Sequence, residues 1–128
     1  MAHPLIDKIV NEGVQSINVS MLSPALRKAL MTEAGNVLMH KGRFQEAAHA
    51  FSLGENKEML REQGKWFLEQ KRYGLAAYFL LHVEDEGVLQ ELAKDCIAAN
   101  EYASAKAIYE SLGDQTMLAF LRENFPSG

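Results

Sequence analysis

Cysteine is nearly missing: Cys96 is the only one among 128 residues. One thiol cannot close an internal disulfide, so nothing in the sequence points to an oxidising compartment. A long apolar run is missing too. The longest surrounds Ala76 to Leu81, far short of the roughly 20 residues that cross a bilayer. The N-terminal stretch MAHPLIDKIVNEG is broken by Asp7, Lys8 and Glu12, so it does not read as a signal peptide. Basic residues are not in excess: 13 Lys and Arg stand against 17 Asp and Glu, a net charge of −4. That balance argues against nucleic acid as a partner, since phosphate binding needs a basic footprint. The expectation is a soluble, cytoplasmic protein with no membrane span.

The motifs that carry chemistry are absent as well. His3, His40, His49 and His82 lack metal-ligand spacing, and there is no HExxH or CxxC. No phosphate loop, GxGxxG or GxSxG occurs. Cys96 has no activating partner in sequence and reads as a buried, inert thiol. The acidic run Glu84-Asp85-Glu86 precedes a helical pattern, where carboxylates cap free N–H groups and complement the helix dipole. Trp66, Phe67, Tyr78 and Phe79 lie at helical spacing and read as core. No catalytic residue, metal site or cofactor is expected, and the chain does not read as an enzyme.

What is present is an internal repeat of twenty-nine residues. GRFQEAAHAF, KRYGLAAYFL and NEYASAKAIY are three versions of one pattern. Without gaps, Gly35, Gly64 and Ala93 align, as do Phe44, Tyr73 and Tyr102. Ala47, Ala76 and Ala105 form another column, and Phe51, Leu80 and Tyr109 a fourth. Met59, Val88 and Met117 follow in register, each with a leucine after it. Fixed spacing of this length is the mark of stacked supersecondary units.

Each unit reads as a helix hairpin. Ser23 before Pro24 is a helix start, with serine as N-cap and proline at the first helical position. Leu26, Leu30, Ala34, Val37 and Leu38 then recur at helical spacing, Gly42 ends the helix, and 43–53 forms the shorter partner. Gly54 suits a left-handed C-cap, and Asn56 suits the next N-cap. The same reading gives helices near 57–70, 72–82, 86–99 and 101–111; Gly113 stops the last of these, and Asp114 caps a final one at 115–124. The fold expected is all-α and a single domain, 1–128, with hairpins at 24–54, 56–83 and 85–112. An N-terminal helix within 1–22 and a C-terminal helix at 114–124 would cap the array, because solenoid ends need covering; the alternative for the first is a partner-binding or dimerising segment. Gly35 and Gly64 sit mid-helix at a cost of about 0.5–1 kcal/mol, which implies close approach of the second helix. The expected partners are the alanines at 47, 76 and 105.

These columns resemble the tetratricopeptide repeat family, whose first helix carries a small residue at its eighth position. Its second helix carries an aromatic, an alanine three later and a bulky apolar residue four beyond that. Gly35, Phe44, Ala47 and Phe51 follow this order; so do Gly64, Tyr73, Ala76 and Leu80, and Ala93, Tyr102, Ala105 and Tyr109. The period departs from the family's thirty-four. The family's tryptophan position holds Met31, Leu60, Leu89 and Leu118, and Met59, Val88 and Met117 replace its closing proline. Shorter hairpins of this kind are also similar to the α-solenoids of clathrin and coat-type proteins.

The resemblance implies a right-handed superhelix and a protein-binding function, as an adaptor or scaffold without a cofactor. It also implies a groove lined by first-helix residues. Its fifth positions fall on Thr32, Arg61 and Gln90, and its ninth on Asn36, Lys65 and Lys94. The implied partner is a protein or peptide with an acidic or carboxylate group. The competing reading of these residues is a solvated helix face, with Glu58, Glu62 and Glu91 as helical partners. The competing function is structural self-assembly, in which copies of the chain pack together as a coat-like unit or homo-oligomer.

Overall fold

The computed structural model describes residues 4–125; His3 and the outer limits of the expected 1–128 domain lie outside them. Among the described residues the chain is all helical, with no strand. The order is α1 (Pro4–Glu12), a short 3-10 helix (Val14–Ser16), α2 (Pro24–His40), α3 (Phe44–Leu53), α4 (Lys57–Glu69), α5 (Tyr73–Leu80), α6 (Glu86–Ala98), α7 (Tyr102–Leu112) and α8 (Gln115–Asn124). The contacts group into two compact units, Met1–Leu60 and Arg61–Gly128.

Helix starts follow the expected caps. Ser23 accepts from the Leu26 N–H at 3.2 Å, Asn56 from Met59 at 3.1 Å, Asp85 from Val88 at 3.2 Å and Asp114 from Met117 at 3.0 Å. Each satisfies one of the free donors of a helix's first turn, a contribution of about 1 kcal/mol.

The turns repeat with the sequence. Gly42, Lys71 and Asn100 all have left-handed backbone, with φ of 74°, 59° and 63°. After them, the N–H groups of Arg43, Arg72 and Glu101 donate to the carbonyls of Leu38, Phe67 and Cys96, at 3.0, 2.9 and 2.7 Å. This is the Schellman closure, drawn three times at one spacing. A second left-handed column lies at Glu55, Glu84 and Gly113, with φ of 56°, 63° and 69°. Gly54 is therefore not the left-handed residue that the sequence suggested; its φ is −80°. Space explains this glycine, since a Cβ there would stand 3.0 Å from Met31 Cβ and 3.4 Å from Lys28 Cα.

Within the first unit, α2 packs on α3, and α1 packs on α2 with Ile6 and Ile9 fully buried. Arg43 ties this end together: its guanidinium donates to the Val10 carbonyl at 2.7 Å and pairs with Glu46 at 2.6 Å. Within the second unit, α6 packs on α7, and α7 on α5 and α8. Phe67 stacks on Phe79 with ring centroids 5.7 Å apart.

The glycines of the repeat do admit a close approach, by a different residue from the one expected. A Cβ on Gly35 would collide with the Phe51 ring, and one on Gly64 would stand 2.5 Å from Leu80 Cδ2. The bulky residue of the second helix fills the notch. The alanines at 47, 76 and 105 are also fully buried, but they are not the atoms nearest the glycines. Large side chain into glycine notch is the lock in the first two copies of the repeat.

Candidate functional site

Each first helix is amphipathic by need: one side must meet its hairpin partner, which leaves another in water. Thr32 and Asn36 lie on α2 in the first unit. Arg61 and Lys65 lie on α4, Gln90 and Lys94 on α6, all four in the second unit. Each pair is four residues apart, hence on one helix face. Asn36, Arg61, Lys65, Gln90 and Lys94 are exposed. Thr32 is half-buried, and its Oγ1 accepts from the Asn56 side-chain amide at 2.9 Å. Asn56 in turn caps α4, so Thr32 braces a helix start.

Lys94 Nζ lies 3.7 Å from Glu91 Oε1, with both side chains mostly exposed. An exposed pair of this kind contributes about 0.2–1 kcal/mol and is easily exchanged. Among the described residues, no ion pair holds Arg61 or Lys65 to Glu58 or Glu62.

Gln90 and Lys94 are brought together with residues that the sequence reading did not single out. They line one side of an open cleft of about 410 Å³, with Ile97, Tyr109, Asp114 and Met117 completing it. Met117 belongs to the Met59/Val88/Met117 column, and Ile97 follows Lys94 by three residues, so both had a helical signature. Their convergence is tertiary. Tyr109 is 4% exposed; burial and the nearby Asp114 carboxylate raise its pKa, so its phenol stays neutral at physiological pH. Asp114 is occupied in capping α8. The cleft therefore offers the Lys94 cation, the Gln90 amide and the capping Asp114 carboxylate around Ile97, Tyr109 and Met117. Its cation and amide can orient an anionic or amide-bearing group.

Other sequence expectations settle individually. Cys96 is fully buried, and burial with Glu101 and Asp95 nearby pushes its thiol up to about 12. Phe67 and Phe79 are core, but Trp66 and Tyr78 are 49% and 37% exposed, which corrects their assignment to the interior. Helical spacing places an apolar residue on a face without saying which face is covered. Among the described residues no group of three acidic, histidine or cysteine side chains is placed to hold a metal, and no helix is long and apolar enough to cross a membrane. Compared with models of known protein families, with curated proteins and with solved structures, the chain matches none.

Proposed function

We propose that this chain is a non-enzymatic protein-interaction module whose helix hairpins stack as a tetratricopeptide-like solenoid. It binds a peptide or protein segment along the first helices of the second unit, at Arg61, Lys65, Gln90 and Lys94; in the first unit Asn36 offers a separate exposed amide, and Thr32 steadies the Asn56 cap. The observation that carries this reading is the cleft in which Gln90 and Lys94 stand over Ile97 and Met117. A carboxylate on the partner suits Lys94, because charge-assisted hydrogen bonds are about twice as strong as neutral ones. Glu91 holds Lys94 only loosely in the free protein and releases it to a better acceptor. A preformed helical face also binds with little ordering cost.

The test is capture from a lysate on immobilised protein, comparing wild type with the Arg61→Glu, Lys65→Glu, Lys94→Glu triple variant. A partner retained only by the wild type supports the reading. Equal retention by a variant of unchanged helicity removes it.

Self-assembly is favoured by a different observation: Leu26, 55% exposed, lines an open apolar pocket with Leu5, Leu22, Ala29 and Leu30, and contiguous exposed apolar surface marks interaction sites. A mass that rises with protein concentration, and falls back on Leu26→Glu, would identify copies of the chain as the partner.

A further inference from the structure

The helix caps form a column of their own. Asn56, Asp85 and Asp114 stand twenty-nine residues apart, and each accepts from the N–H three residues on. Twenty-four residues before these caps stand Thr32, Arg61 and Gln90. In the first unit the pair is closed: the Asn56 amide donates to Thr32 Oγ1 at 2.9 Å, so the cap has both its donor and its acceptor engaged. In the Gln90–Asp114 copy, within the second unit, the pair is open. Asp114 Oδ1 accepts from Met117 at 3.0 Å; among the described residues the carboxylate has no second hydrogen bond and no ion pair, and the Gln90 side chain has no hydrogen bond.

An open carboxylate restricts what can dock over it. Gln90 and Asp114 line the cleft that holds Lys94, with Ile97, Tyr109 and Met117 around them. The charged groups of that lining are Lys94 and Asp114, and Glu91 stands 3.7 Å from Lys94. One cation is thus set against two carboxylates. A partner with acidic groups alone would satisfy Lys94 and cover Asp114 without a donor, and a carboxylate covered in that way is costly. Tyr109, whose pKa is raised first by burial and then by Asp114, makes no hydrogen bond to it among the described residues.

We infer that Asp114 is a second anchor of this cleft, and that the partner is a protein segment presenting a lysine or arginine beside the carboxylate that meets Lys94. The inference rests on the reading that a partner segment binds along these first helices. The basic group donates to Asp114 Oδ2 while Oδ1 keeps the α8 cap, since a carboxylate accepts at both oxygens. Its aliphatic stem lies along Ile97 and Met117. Opposite charges side by side then set specificity: a purely acidic segment is repelled at Asp114, and a purely basic one at Lys94.

The probes are fluorescein-labelled peptides of leucine and serine with one glutamate and one arginine, the two separated by none to several residues. Binding to the full chain is followed by fluorescence anisotropy. The tightest peptide should lose about tenfold in affinity when norleucine replaces its arginine, the worth of one charge-assisted contact. Asp114→Asn keeps a capping side chain; it should cause the same loss for the arginine peptide and none for the norleucine peptide. A cap with only a structural role would move both peptides alike. Lys94→Gln separates this inference from the reading beneath it. Binding that needs Lys94 but is indifferent to arginine and to Asp114→Asn overturns the second anchor and leaves the first-helix site standing. Binding indifferent to Lys94, or no saturable binding by any of the peptides, overturns both.

Discussion

The α2–α3 hairpin and the α6–α7 hairpin share one spacing and solve it with different residues. In the first, Gly35 makes room for a phenyl ring, and Phe51 is fully buried. In the second, Ala93 keeps its Cβ and is itself fully buried, while Tyr109, in Phe51's register, reaches 4% exposure. The turns trade places too. Glycine takes the left-handed residue after α2 and again after α7, while asparagine and glutamate hold it at Asn100 and Glu55. What recurs is geometry: two left-handed turns, a packed helix pair and a capped first helix. Residue identity follows whichever local solution fits.

The largest break in that comparison should come from Phe51→Ala. Removing a buried phenylalanine and leaving a cavity costs about 3–5 kcal/mol, read as a lower midpoint in chemical denaturation. A loss below 1 kcal/mol would mean that the ring does not organise its hairpin. Overpacking comes next: Ala76→Leu, at a fully buried position, should cost about 1–3 kcal/mol, and an unchanged melting curve would contradict its assignment to the core.

The reciprocal exchanges at the notch sharpen the contrast. Gly35→Ala drives a methyl into the Phe51 ring and should destabilise by about 1–2 kcal/mol, overpacking exceeding the better helix propensity of alanine. Ala93→Gly should also destabilise, by about 1–2 kcal/mol, through lost helix propensity together with the buried methyl removed. Stabilisation by Gly35→Ala would show that the ring moves aside freely. The smallest effect is a gain: Glu55→Gly relieves a left-handed non-glycine residue and should stabilise by about 0.5–1 kcal/mol, the strain removed being partly offset by the freer unfolded chain.

Much of the fold was legible because its signals are local. Ser23, Asn56, Asp85 and Asp114 each fix a helix start with their own side chain, and the twenty-nine-residue columns fixed the hairpins. Glu55 was missed because the adjacent Gly54 is the usual left-handed residue, and only the crowding against Met31 shows why glycine is needed one position early. Phe51 over Gly35 was missed because pairing small with small is one way to bring helices together, and sequence does not say which ridge enters which groove. Of the candidate site, the six positions were implied by the resemblance to the repeat family; five are exposed, and Thr32 is half-buried against Asn56. The floor of Ile97, Tyr109 and Met117 was not legible, because three helical segments converge there.

The central claim is that the first-helix face, and not the second-helix face, meets a protein partner. A photo-crosslinking residue placed singly at positions 65, 94, 49 and 78 of the full chain tests it directly in a lysate. The account predicts a heavier adduct from 65 and 94 and none from His49 or Tyr78, both exposed on second helices. Adducts from 49 or 78 alone, or only adducts of twice the chain's own mass, would contradict it.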